Sequence, residues 1–197
     1  MAEVVLFHHV AGLTDGVRSF AEQLRAGGHT VYTPALFDGE TAPSIDEGLA
    51  LVNRIGDEVL NARAAEALAA LPAALVYGGF SYGSALAQRF AQKRPDVRGA
   101  LLYEGCLPLT GPEWAVGPWP AGLPAQVHGM DADPFFALEG DLDSARELVA
   151  TAGPGVAELF TYPGDRHLFT DSSLPSYDKD ATALVIERST AFLDRLG

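Results

Sequence analysis

The sequence predicts an α/β fold: a mostly parallel sheet with helices on both faces. Three observations lead there. Short apolar runs rich in Val, Leu, Phe and Tyr alternate with longer stretches of helical periodicity along the whole chain. The runs are continuously apolar, as expected of strands covered on both sides. The length, 197 residues, fits one domain over residues 1–197, with a core large enough to need no disulfide or metal staple.

Val4 to Phe7 reads as the first buried strand. Val17, Phe20, Ala21 and Leu24 then recur at helical spacing, and Gly27-Gly28 ends that helix. His29 to Thr33 is the second strand. Ser44-Ile45-Asp46-Glu47 fits a capping box, in which hydroxyl and carboxylate satisfy free backbone N–H groups. One long helical pattern follows through Ile45, Leu49, Val52, Ile55 and Val59, weakened by Gly48 and Gly56. Ala73 to Tyr77 is the third strand. Ser84 to Lys93 is helical, and Pro95 bars its continuation. Arg98 to Tyr103 is the fourth strand. Residues 105–122, rich in Gly, Pro and Trp, form a loop. Ala125 to His128 is the fifth strand, Asp141 caps a helix through Val149, and Val156 to Tyr162 is the sixth strand. Asp178 to Leu196 closes the chain as an amphipathic helix with Ala181, Leu184, Val185, Arg188 and Phe192 along one stripe. In such a fold right-handed crossovers place active groups at the carboxyl ends of the strands.

The charge balance narrows the function. Thirteen basic against 26 acidic side chains leave a net charge of −13. That excess repels phosphate backbones and anionic headgroups, so neither nucleic acid nor a membrane is an expected partner. No apolar run approaches the roughly 18 residues of a spanning helix. The start, Met1-Ala2-Glu3-Val4-Val5-Leu6, lacks a basic leader segment, and a cytoplasmic protein is expected. The one cysteine, Cys106, permits neither an internal disulfide nor a Cys-rich zinc site.

Gly79-Phe80-Ser81-Tyr82-Gly83 matches G-x-S-x-G between a strand and a helix rich in small residues. The turn is so tight that a Cβ at position 79 or 83 would collide with neighbouring backbone. It pushes the Ser81 hydroxyl out of the sheet, and the helix N-terminus behind it favours developing negative charge. The competing reading is an ordinary strand–helix turn with a capping serine. A serine hydroxyl needs a base. His167 follows the sixth strand, in Tyr162-Pro163-Gly164-Asp165-Arg166-His167-Leu168-Phe169, and completes the chain order serine, acid, histidine. His29 and His128 fall at or within strands and read as structural.

The acid is expected after the fifth strand, where Asp131 and Asp133 lie close together. Asp133 is favoured over Asp131; Asp141 and Asp143 lie further on and look like helix-start residues. The acid would fix the tautomer of His167 and stabilise its imidazolium form. The Tyr82 amide and an amide from the loop Phe7-His8-His9-Val10-Ala11-Gly12 are candidates for an oxyanion hole. His8 and His9 are adjacent on a strand and point to opposite faces, so no metal is expected there, and one of them, His9, is a candidate pocket residue. Phe37, Tyr103, Trp114, Trp119 and Phe135 are the other candidates for the substrate pocket. Glu104 follows a strand end and could face the site.

Together these segments resemble the dienelactone hydrolase family of α/β-hydrolases. The resemblance is carried by the loop at 7–12, by Pro34-Ala35-Leu36-Phe37-Asp38-Gly39, by the turn at 79–84, by Val127-His128-Gly129-Met130-Asp131-Ala132-Asp133-Pro134 and by the His167 segment. It implies a compact hydrolase of the α/β-hydrolase fold without a large lid domain, with Ser81, Asp133 and His167 as a triad and the Val10 and Tyr82 amides as oxyanion hole. The family's founding members use a cysteine nucleophile where this chain has Ser81, and bind a substrate carboxylate through arginines that no motif places here. Leu168 also stands where a glycine is usual.

The expected activity is therefore hydrolysis of a small, neutral or aromatic ester or lactone, without a cofactor. The partner would be that small molecule, and the protein a monomer or small homo-oligomer. Two alternatives stay open: acyl transfer to an alcohol or peroxide by the same triad, and a hydrolase fold retained only to bind a ligand.

Overall fold

The computed structural model describes residues 1–197. It contains six parallel strands in the order β2-β1-β3-β4-β5-β6. They are β1 (Glu3–Phe7), β2 (Thr30–Tyr32), β3 (Val76–Phe80), β4 (Gly99–Tyr103), β5 (Ala125–Met130) and β6 (Ala157–Tyr162). The helices are α1 (Asp15–Ala26), α2 (Ile45–Ile55), α3 (Asp57–Ala69), α4 (Tyr82–Lys93), α5 (Asp141–Ala152) and α6 (Lys179–Leu196). No helix is long and apolar enough to cross a membrane.

Alternation along each strand divides the core in two. Val5, Phe7 and Tyr77 join α2, α3, α4 and α5 on one face, through Leu51, Leu60, Leu86 and Leu148. Val4, Leu6 and Val76 join α1 and α6 on the other, through Phe20, Leu24, Val185 and Phe192. Both faces of the sheet are therefore covered, as the uninterrupted apolar strands require.

Four expectations about elements change. The long helix expected from residue 45 to beyond 59 is two helices, because Gly56 turns the chain at φ 90° and ψ 141°. Leu49 and Val59, placed on its apolar stripe, are each 43% exposed; Val52 is buried as expected, and Gly48 and Leu51 face inward with it. Gly48 is not a weakness: a Cβ there would meet the Val10 carbonyl oxygen at 2.6 Å, so its absence lets α2 lie against the loop after β1. The third strand lies three residues later than its apolar run suggests, at Val76–Phe80. Asp141 is the first residue of α5 rather than its cap, which is Gly140; the Asp141 carboxylate turns to accept the Cys106 N–H at 3.0 Å. On α6, Leu184 is 44% exposed although its neighbour Val185 is buried.

The loop between β4 and β5 packs back on α4. The Gln88 amide holds Leu107 through both its N–H (2.7 Å) and its carbonyl (2.9 Å), and Gln92 Nε2 donates to the Gly117 carbonyl. These bonds fasten the loop to the helix surface.

Candidate active site

The site assembles where β1, β3, β4 and β5 end and the long loop after β6 folds over them. At the end of β3 the chain turns through Ser81, whose φ of 49° and ψ of −112° are outside the ordinary regions for a residue with a side chain. Neighbouring backbone imposes this. A Cβ on Gly79 would overlap the Gly83 carbonyl, and one on Gly83 would overlap the carbonyls of Phe7 and His8. The turn is locked by Ser81 N–H donating to the Tyr103 carbonyl at 2.7 Å and by Ser84 Oγ donating to the Ser81 carbonyl at 2.6 Å.

Ser81 Oγ lies 2.8 Å from His167 Nε2, and His167 Nδ1 lies 2.7 Å from Asp133 Oδ2. A neutral imidazole with its proton on Nδ1 satisfies both contacts: Nδ1–H donates to Asp133 and Nε2 accepts from the serine hydroxyl. Asp133 is fully buried, and its other oxygen accepts the Phe135 and Phe136 N–H groups at 2.8 and 3.2 Å. Those bonds fix the carboxylate without help from the histidine. Asp131 is exposed and accepts the Gly164 N–H instead, away from the imidazole. Asp143 pairs with Arg146 on the surface of α5.

His167 is itself mostly buried, and Phe135 covers one side of its ring at a centroid distance of 4.6 Å. Burial would push the imidazole down. The Asp133 hydrogen bond and the negative charges of Glu104, Asp133 and Asp141 outweigh it, and the group is held above its usual value. The residue after it, Leu168, adopts φ 59°, the left-handed conformation in which a glycine would be unstrained.

The two amides expected to form an oxyanion hole are left without an acceptor in the chain. Tyr82 is the first residue of α4, so its N–H has no acceptor within the helix. Val10 lies in the loop after β1, and its N–H donates to no other group of the chain. That loop is anchored by a buried network the sequence did not suggest. His9 Nδ1 accepts the Ala11 N–H, and its Nε2–H donates to Asp171 at 2.8 Å. Thr14 and Ser173 donate to the same carboxylate. Burial would raise the Asp171 carboxyl, but these hydrogen bonds prevail and hold it at about 2. Asp171 therefore ties the Val10 loop to the segment that carries His167. Only the spacing of four residues from His167 could have pointed to it, and a lone loop aspartate carries no such signal.

Of the six candidate pocket residues only Phe135 borders the cleft that opens over His167. His9 is fully enclosed, with both ring nitrogens bonded. Phe37 is buried with the edge of its ring against His8, 4.5 Å between centroids. Tyr103 is buried beneath the sheet end and its hydroxyl bonds Ser189 at 2.9 Å. Trp119 is buried in its loop, donating to the Leu123 carbonyl. Trp114 is 57% exposed in a separate groove beside Arg89 and Lys93. The cleft measures about 400 Å³ and is walled by Ala11, Ile45, Pro134, Phe135, Leu174 and Pro175, with no lysine or arginine and with the Asp165 carboxylate at its edge.

The remaining histidines, His8, His29 and His128, are structural. His8 Nδ1–H donates to the His9 carbonyl and its Nε2 accepts the Leu36 N–H; burial pushes it down to about 4. His128 is fully buried between Tyr162 and Gln126 and is pushed down to about 3 by burial. His29 is buried near the N-terminus and accepts the Ala2 N–H. No group of three or more metal-ligating side chains occurs. Cys106 is buried, and burial with the nearby charges of Asp141 and Glu147 pushes its thiol up, which disfavours the thiolate.

Comparison with known proteins agrees with this architecture. No protein of curated function matches the sequence. Among solved structures, a candidate dienelactone hydrolase from Klebsiella pneumoniae superimposes with a TM-score of 0.76 at 19% identity, covering 99% of this chain and 87% of that one. A dienelactone hydrolase-like promiscuous phosphotriesterase from metagenomic libraries gives 0.72 at 18% identity, over 100% and 87% of the two chains. Esterase 2 of Thermogutta terrifontis gives 0.63 at 17% identity, over 100% and 83%. At these identities the likeness establishes the shared α/β-hydrolase fold. The sequence profile of the dienelactone hydrolase family, in contrast, matches residues 1–197. The chain belongs to the dienelactone hydrolase family and is a hydrolase of ester bonds.

Proposed function

We propose that this protein is a serine hydrolase that cleaves small, uncharged, largely apolar esters or lactones through an acyl-enzyme on Ser81. The observation that carries the reading is the unbroken line of contacts from Ser81 Oγ through His167 to Asp133, 2.8 and 2.7 Å long. In this reading Ser81 Oγ attacks the substrate carbonyl carbon while His167 Nε2 takes the hydroxyl proton. Asp133 keeps the proton on Nδ1 and offsets the charge of the imidazolium. The tetrahedral oxyanion is received by the Val10 and Tyr82 N–H groups. As the intermediate collapses, the alcohol leaves with the proton from Nε2. Water then attacks the acyl-enzyme by the same route, releasing the acid and restoring the serine.

The cleft supports the substrate class. A carboxylated substrate would meet apolar walls, the Asp165 carboxylate and no cation, within a molecule of net charge −13. Matched p-nitrophenyl esters of butyric and succinic acid test this. The neutral ester is expected to have at least a tenfold higher kcat/KM, equivalent to about 1.4 kcal/mol, and Ser81→Ala is expected to abolish turnover of both. A preference for the succinate ester, or turnover that survives Ser81→Ala, would overturn the reading.

A further inference from the structure

Glu104 is a buried acid that the reaction just described does not use. It follows β4, beside the strand whose end carries Ser81, and is 1% exposed. Its backbone takes φ 57°, and its N–H donates to the His128 carbonyl at 2.7 Å. Oε1 accepts both the N–H and the hydroxyl of Thr170, at 3.1 and 3.0 Å. Thr170 is three residues beyond His167, in the same loop. Oε2 is buried and has no partner in the protein.

A neutral side chain such as glutamine could hold Thr170 equally well. What a carboxyl adds is charge, and burying it is costly. Burial pushes Glu104 up to about 7, opposed by the nearness of His167 and by the two Thr170 bonds. Its charge in turn helps raise His167. The group is therefore placed where its ionisation and that of the imidazole favour one another.

We propose that Glu104 is a positioning residue for the hydrolytic reaction: it pins the His167 loop through Thr170 and supplies a second carboxylate, beside Asp133, that stabilises the ring when it carries a proton. This rests on the reading of Ser81 and His167 given above. The charged groups facing His167 are Asp133 from the end of β5, Glu104 from the end of β4 and Asp141 from the start of α5; Asp165, on its own loop, is exposed. Asp133 and His167 in turn face Glu104. Glu104 differs from Asp133 in having no bond to the ring, so it acts through charge and through the loop.

The test is the pH profile of kcat/KM for p-nitrophenyl butyrate. Glu104→Gln retains an oxygen for Thr170 and removes the charge. Without that charge His167 loses its proton at lower pH, so the acidic limb is expected to move to lower pH with KM little changed. Glu104→Ala removes the anchor as well and is expected to lower the kcat plateau in addition. An acidic limb of Glu104→Gln that superimposes on the wild type would overturn the proposal. Should that variant not fold, Thr170→Val serves instead. It removes one donor to the carboxylate, leaves less of it ionised near neutrality and is expected to move the limb in the same direction; an unmoved limb again overturns the proposal. Ser81→Ala run in parallel keeps the two readings apart. Activity surviving in it defeats the serine mechanism, whereas an unmoved limb with Ser81-dependent activity defeats only the role of Glu104.

Discussion

At the residue scale, the arrangement depends on groups held rigidly before any substrate arrives. Asp133 receives two backbone N–H bonds besides its contact with His167, so its position does not rely on the histidine. Asp131, two residues earlier, is exposed and bonds Gly164. Asp133→Asn is therefore expected to lower kcat by about 10³- to 10⁴-fold through loss of the tautomer that lets Nε2 accept a proton. Asp131→Asn should leave kcat essentially unchanged. Steady-state kinetics of both variants on one ester checks this, and the reverse order of effects would reassign the acid. The sequence narrowed the acid to this loop and favoured Asp133, but it held no contact that would set aside a residue of the same type two positions away. What divides them is the direction each side chain takes, fixed by amides at Phe135, Phe136 and Gly164. Glu104 could be placed at a strand end facing the site, but its role, like Asp171 altogether, was out of reach for a related reason: their partners lie 66 and 162 residues away in the chain.

At the scale of elements, the features that were legible are local ones. The G-x-S-x-G pattern, the strand before it and the helix after it are contiguous, so their geometry is written in consecutive residues. The division of the second helical region was less legible. Gly56 at φ 90° breaks it, but a glycine in a helical pattern signals a weak helix as readily as a break. The pocket was least legible, because its walls come from segments around residues 11, 45, 134 and 174 that only the finished fold brings together. The tight turn itself makes a steric prediction. A methyl group at Gly83 meets the carbonyls of Phe7 and His8, which cannot yield without moving β1. Gly83→Ala is expected to cost about 3 kcal/mol or more. At Gly28 the space is open and only φ 93° opposes a side chain, so Gly28→Ala should cost about 1–2 kcal/mol. Urea unfolding of the two variants checks the difference, and equal losses would mean that the turn is not under the steric constraint described.

At the scale of the whole molecule, six parallel strands present their carboxyl ends on one side, and each residue proposed for the site follows a different strand. Val10 follows β1, Ser81 follows β3, Glu104 follows β4, Asp133 follows β5 and His167 follows β6. The order of elements along the chain made this side of the sheet the place to look before any contact was known. In the proposed reading, the net charge of −13 and a cleft lined without lysine or arginine act together on the choice of substrate. All of this depends on Ser81 being a nucleophile activated by His167. Intact-mass measurement after treatment with a fluorophosphonate ester examines that point most directly. The account predicts a single covalent adduct on the wild-type protein and none on folded Ser81→Ala; no adduct on the wild type, or an equal adduct on both, would contradict it.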